Sequence, residues 1–262
     1  MNANPKGHPV EIQDLIDAAA RLISSAKCGV VLTGAGISTP SGIPDFRTPG
    51  SGVWSHFNPM EVASLSVFRY KPEKFFAWLH PMAKKIFEAL PNPAHYALTI
   101  LENAGYLQTI ITQNIDGLHQ RAGSDQVLEV HGTMETLTCI GCYHKYPGGD
   151  FIQSFIDQEI TPRCPDCDNI LKPDVILYEE QLPKATWLKA QKACQDCSVI
   201  LVAGSSLEVI PAATLPQRAL ENNAKLIIVN QGPTYLDSRA EIRIKGDVAD
   251  ILPRISQAVL ND

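Results

Sequence analysis

No stretch of the 262-residue chain is apolar for long enough to cross a bilayer, because its apolar runs are only strand-length. The opening residues, MNANPKGHPVEIQDLIDAAARLISSA, hold no apolar segment of the kind that directs secretion, so a cytoplasmic setting is expected. Runs of lysine or arginine are also missing. With 22 basic against 28 acidic side chains the formal charge is −6, which argues against nucleic-acid binding driven by phosphate contacts. A composition of 45% hydrophobic and 19% charged residues excludes a disordered chain, and the length allows one large domain plus a small one.

Two phosphate-binding signatures are absent as well. The segment TGAGISTPSGIPDFRTPG, residues 33–50, follows the apolar run CGVVL, as a glycine-rich loop after a strand should. Yet no Gly-Lys-Ser/Thr closes it, so it is not a P-loop. It also lacks the third glycine of GxGxxG, and no acidic residue closes a second strand about 20 residues on, which argues against a dehydrogenase. Such a loop is where an α/β protein cradles a phosphate, with glycines that let backbone come close and a following helix offering N–H groups.

What is present is a rhythm. CGVVLT (28–33), LQTIIT (107–112), VILVA (199–203) and KLIIV (225–229) are short, rich in Val and Ile, and not alternating, as strands covered on both faces are. Between or before them, 10–26, 73–90, 94–104 and 212–222 carry apolar residues at helical spacing. This predicts an α/β fold, a Rossmann-like doubly wound parallel sheet. Three of the runs end in TGAG, TQNID and AGSS, small and polar residues at the edge where open α/β sheets bind ligands.

Residues 134–170 break the rhythm with TCIGCYHKYPGGD and PRCPDCDNI. Cys139, Cys142, Cys164 and Cys167 form two C-x2-C pairs, the spacing of a tetrahedral zinc site. Four thiolates leave no open position, so the zinc would be structural; disulfides would instead need an oxidising compartment. A third pair, Cys194 and Cys197, runs straight into a buried strand with no turn residue and is expected to be packed thiol, as is Cys28.

GAGIS (34–38), GIPDFR (42–47), TQNIDGLH (112–119), His131-Gly132, the two cysteine pairs, GSSL (204–207) and Val229-Asn230 occur in the order seen in sirtuins. From about residue 12 to 256 the chain resembles that family of NAD-dependent protein lysine deacylases. The resemblance implies an NAD-binding domain made of 10–40, 92–133 and 172–258, a cofactor loop and helical insertion at 41–91, and a zinc module at 134–171. It implies NAD held by Gly34, Ala35, Gly36, Thr39, Asp45, Phe46, Arg47, Gln113, Ile115, Asp116, Gly204, Ser205, Ser206, Asn230 and Val248. Phe46 would shield the reacting ribose carbon from water and Arg47 would meet phosphate.

In that family the acyl oxygen of the lysine amide attacks the ribose carbon bearing nicotinamide, and a histidine then helps deprotonate a ribose hydroxyl. The resemblance makes His131 that base, with His119 as runner-up, and counts Asn114, beside Gln113, Ile115 and Asp116, as the other catalytic residue. An imidazole with an ordinary pKa of about 6.5 suits the task. Acyl-lysine peptides would add as a strand between 172–183 and 206–213, with Val175, Tyr178 and Val209 at the acyl-lysine tunnel.

Two positions bear on specificity. Many sirtuins carry Phe-Gly-Glu where this chain has Tyr178-Glu179-Glu180, which replaces a glycine that adopts positive φ at no cost. Sirtuins that remove acidic acyl groups carry a tyrosine and an arginine in the helix after the cofactor loop, and the matching positions here are Leu79 and Met82. No tyrosine or arginine lies between Phe75 and Ile86, so a neutral acyl group is expected, acetyl first. The alternatives are an NAD glycohydrolase or ADP-ribosyltransferase in the same cleft, or a non-catalytic NAD-sensing scaffold.

Overall fold

The computed structural model describes residues 11–46, 48, 50 and 52–261. Its elements in chain order are α1 (Ile12–Ser24), β1 (Gly29–Thr33), α2 (Pro59–Val62), α3 (Leu65–Tyr70), α4 (Pro72–Glu88), α5 (Pro93–Asn103), β2 (Thr109–Thr112), α6 (Leu118–Arg121) and β3 (Val127–Glu129). Then come β4 (Gly132–Cys139), β5 (Lys145–Pro147), α7 (Gly149–Gln158), β6 (Leu171–Val175), α8 (Lys184–Asp196), β7 (Val199–Ala203), α9 (Leu215–Glu221), β8 (Lys225–Val229), β9 (Ile242–Ile244) and α10 (Val248–Asn261).

The apolar runs become strands because both of their faces are covered. In β1, Val31 faces a core shared with Ile110, Leu201 and Ile227 and closed by α1, α5 and α10. Val30 and Leu32 point the other way, into a core with Ile200, Val202 and Ile228 closed by α8 and α9. Each such fully buried aliphatic side chain contributes about 1.5–3 kcal/mol. The sheet runs β3-β2-β1-β7-β8-β9 with every neighbouring pair parallel. The chain therefore steps outward from β1 to β3, then restarts at β7 on the other side of β1. That reversal opens a crevice at the carboxyl ends of β1 and β7.

A second sheet, β5-β4-β6, is antiparallel and carries the cysteines. β6 runs across the boundary expected between residues 171 and 172, so the small sheet ends at Val175. Among the described residues its own apolar core is Leu137, Cys139, Cys164 and Leu171, with Tyr146 and Phe151 against it. The helical insertion packs α4 through Phe75, Phe76, Leu79 and Ala83 onto Phe68, Phe155, Val175 and Leu177. No helix among the described residues is long and apolar enough to cross a membrane.

One local expectation fails. The helix anticipated after Gly36 is instead two single 3₁₀ turns, Ala35–Ile37 and Thr39–Ser41, with Pro40 inside the second. The Gly36 N–H is already committed to the carbonyl of Gly204, at 2.9 Å. A Cβ on Gly36 would lie 2.8 Å from that same oxygen. The glycines thus allow two strand ends to touch, a reason the sequence motif does not display.

Candidate active site

The crevice at the strand ends encloses about 1070 Å³, ample for a large ligand. It gathers Gly34, Ala35, Gly36, Thr39, Asp45 and Phe46 after β1, and Gln113, Asn114, Ile115 and Asp116 after β2. His131 follows β3. Gly204, Ser205 and Ser206 follow β7, Asn230 follows β8, and Val248 opens α10; Val175, Tyr178 and Val209 line the same space. Arg47 lies outside the described residues.

Hydrogen bonds tie these strand ends together. Gln113 donates from Nε2 to Ser205 Oγ at 3.0 Å, joining β2 to β7 across β1. Buried Ser38 is a junction: its Oγ donates to Asp116 Oδ2 at 2.7 Å and accepts from Asn114 Nδ2 at 3.0 Å. Asp116 also accepts from the Leu118 N–H. Burial raises the Asp116 pKa above the usual carboxylate range, against the pull of these bonds. Ser38 is the last residue of GAGIS, and only its position between two side chains 76 and 78 residues away reveals its part.

His131 Nδ1 lies 3.0 Å from the carbonyl oxygen of Gln113. A carbonyl only accepts, so the neutral ring carries its proton on Nδ1 and its lone pair on Nε2. His119 is placed differently. It is 1% exposed, its Nε2 is 2.9 Å from Thr33 Oγ1, and it packs 5.0 Å from the ring of His95. Burial lowers His95 to about 4 and His119 to about 3. His119 is thus a neutral interior group outside the crevice.

Aromatic side chains roof the site. Phe46 packs 5.3 Å from Trp54, and Trp54 stacks 5.7 Å from Trp78 and meets the Tyr178 ring edge-on at 6.1 Å. Trp78, Leu79, Met82 and Ile86 of α4 continue the wall, together with Ile43. Glu179 keeps a left-handed backbone, φ 75°, at the position where many sirtuins carry a glycine.

The cysteine cluster stands apart from the crevice. The four Sγ atoms of Cys139, Cys142, Cys164 and Cys167 lie within 4.8 Å of one another, with Cys139–Cys167 at 3.4 Å and Cys142–Cys164 at 3.6 Å. Four sulfurs each about 2.3 Å from one ion would sit about 3.8 Å apart, so the set fits tetrahedral zinc. The N–H groups of Gly141 and Cys142 point at Cys139 Sγ, and a Cβ on Gly141 would strike Asn169 at 2.4 Å. Cys194 and Cys197 are buried in the hydrophobic core beneath α8, and burial pushes Cys197 up to about 12. They are packed thiols.

The family model for the Sir2 family matches residues 34–211. The chain belongs to the Sir2 family. It is 45% identical over 249 residues to NAD-dependent protein deacylase 2 of Archaeoglobus fulgidus, covering 95% of this chain and 97% of that one. It is 42% identical to an NAD-dependent protein deacetylase of Saccharolobus solfataricus, covering 92% and 95%. Among solved Sir2 structures, Sir2Af2 bound to a myristoylated histone peptide matches with TM-score 0.82 at 40% identity, over 95% of this chain and 98% of that one. A Sir2 complex with a p53 peptide and NAD+ matches with TM-score 0.84 at 36% identity, over 97% and 100%.

Proposed function

We propose that this Sir2 chain is an NAD-dependent protein lysine deacylase with a preference for neutral acyl groups. It would return free lysine, nicotinamide and O-acyl-ADP-ribose. The observation that carries the proposal is His131, its Nδ1 proton held by the Gln113 carbonyl, in one crevice with the Ser38–Asn114–Asp116 cluster. NAD, when bound, supplies a ribose carbon from which nicotinamide can leave and hydroxyls that can take up the acyl group. His131, its ring oriented by the Gln113 carbonyl, would take the hydroxyl proton at Nε2. Asn114, Asp116, Ile115 and Gln113 hold the carboxamide and nearby ribose, and Phe46 excludes water above them. Gly34, Ala35, Gly36 and Thr39 hold the phosphate side of the nucleotide, and Asp45 contributes from the cofactor loop, where its Oδ1 accepts from the Thr48 N–H. Gly204, Ser205, Ser206, Asn230 and Val248 hold the adenosine side.

An acyl-lysine peptide adds as a strand between 172–183 and 206–213, with the lysine entering beside Val175, Tyr178 and Val209. Leu79 and Met82 are 2% and 7% exposed, and both line the crevice with Trp78 and Ile86. An acyl carboxylate against that wall would be desolvated without a partner, which costs several kcal/mol. The structural zinc braces the module and takes no part in the chemistry. Seven cysteines outside any disulfide, four of them at the zinc site, suit a reducing cytoplasm, and the charge of −6 gives nucleic acid no electrostatic hold.

The test is a competition between acetyl-lysine and succinyl-lysine versions of one peptide, followed by mass spectrometry with and without NAD. NAD-dependent loss of acetyl at least about tenfold faster than succinyl is expected from one unpaired buried charge. Equal rates would remove the neutral preference, and no loss of either group would remove the deacylase reading.

A further inference from the structure

Glu179 stands in the segment through which the acyl-lysine would enter, at a backbone angle that disfavours any side chain. Its neighbours account for the persistence of that angle. Glu179 Oε2 accepts from the Ser66 N–H at 2.9 Å and from Ser66 Oγ at 2.7 Å. Immediately before it, the Tyr178 N–H donates to the Ala63 carbonyl and the Tyr178 carbonyl accepts from the Leu65 N–H, both at 3.0 Å. Ser64 and Tyr178 thereby form a parallel bridge between the helical insertion and the entrance segment. On the other side Glu180 Oε2 accepts from the Leu177 N–H at 2.8 Å and pairs with Lys172 Nζ at 2.9 Å. Lys172 Nζ also donates to the Val175 carbonyl at 2.7 Å.

The two glutamates therefore grip the entrance from opposite sides, and the grip has a reach. It holds the Tyr178 ring edge against Trp54, which in turn packs on Phe46 of the cofactor loop. A glycine at position 179 would take the same left-handed turn without strain but would offer no carboxylate to Ser66. We infer that Glu179 is a positioning residue, whose clasp on Ser66 fixes the acyl-lysine entrance in register with the cofactor loop. It acts through Tyr178 and takes no part in the chemistry. The inference rests on the deacylase reading above.

The test compares wild type, E179G, S66A, the double variant and E179Q on an acetyl-lysine peptide, with hydrogen exchange of 63–67 and 176–180 measured in parallel. E179G and S66A should each raise the KM for peptide about threefold to tenfold, as loss of exposed charge-assisted hydrogen bonds predicts. The KM for NAD and kcat should stay near wild type, and exchange should rise in those two segments alone. E179Q, which keeps an acceptor for the Ser66 N–H and hydroxyl, should stay near wild type, and the double variant should be no worse than E179G. An active wild type whose E179G form has unchanged peptide KM and unchanged exchange overturns the clasp alone. Additive losses in the double variant overturn it too. A wild type that leaves the peptide acetylated while both segments loosen in E179G overturns the catalytic reading and, with it, the role assigned to the clasp.

Discussion

In the parallel sheet, Val30, Val31 and Leu32 are each at most 1% exposed, and two separate apolar cores press on the strand from opposite sides. In the β5-β4-β6 sheet, Leu137 and Leu171 share their small core with two cysteines, and β5 has no buried residue at all. The first region is held by area removed from water, which grows with every helix laid on the sheet. The second has too few apolar groups for that and must draw on four sulfur–metal bonds. The same chain thus uses two sources of stability, and they should fail under different insults.

The largest effect should come from the metal. Chelation, or Cys164→Ser, removes binding worth roughly 10–16 kcal/mol of apparent free energy in small zinc modules. Hydrogen exchange over 132–175 should become fast as zinc leaves, while 29–33 and 199–203 stay protected. Simultaneous loss of both regions would contradict the division. Next in size, Leu32→Ala should cost about 3 kcal/mol by transfer and cavity terms, lowering Tm with zinc content unchanged.

Acid should also act on the large region. His95 and His119 have folded pKa values of about 4 and about 3, below the ordinary 6.5, so the unfolded chain binds their protons first. Stability they permit at neutral pH is lost as pH falls below 6.5. Glu129, raised by burial to about 7, has the opposite sign: it favours folding as pH falls from 7 toward 4.5. The two histidines are more deeply buried and should win, giving a net loss on the order of 2 kcal/mol by pH 5. The smallest effect follows from removing the opposition. Glu129→Gln should steepen the acid loss by about 1 kcal/mol, discounted for partial exposure. Denaturant unfolding at pH 7 and pH 5 measures both, and a stability that rises on acidification would refute the assignment.

How far the sequence could be read follows from the same contrast. VILVA and KLIIV announce themselves because strands buried on both faces need unbroken apolar runs. β3 and β9 are three-residue edge strands, and Ile242–Ile244 has too little pattern to separate it from loop. The C-x2-C pairs are legible because a tetrahedral site dictates short spacing. Ser38, and the packing of His95 on His119, depend on contacts between segments far apart in the chain, which no local pattern encodes. Glu179 is intermediate: the departure from glycine is visible in the sequence, whereas its partner Ser66 is 113 residues away.

In the proposed reaction the crevice between β1 and β7 passes an acyl group from lysine to NAD-derived ribose, with His131 as base. A single-turnover mass-spectrometric measurement, with NAD and an acetyl-lysine peptide, tests it in wild type and His131→Ala. Wild type should give equal amounts of nicotinamide, free lysine peptide and O-acetyl-ADP-ribose. In the variant, with zinc retained, deacetylation should be slower by about 10²–10⁴-fold, the usual contribution of a general base. Nicotinamide released while the peptide stays acetylated, or ADP-ribose found attached to protein, would contradict it.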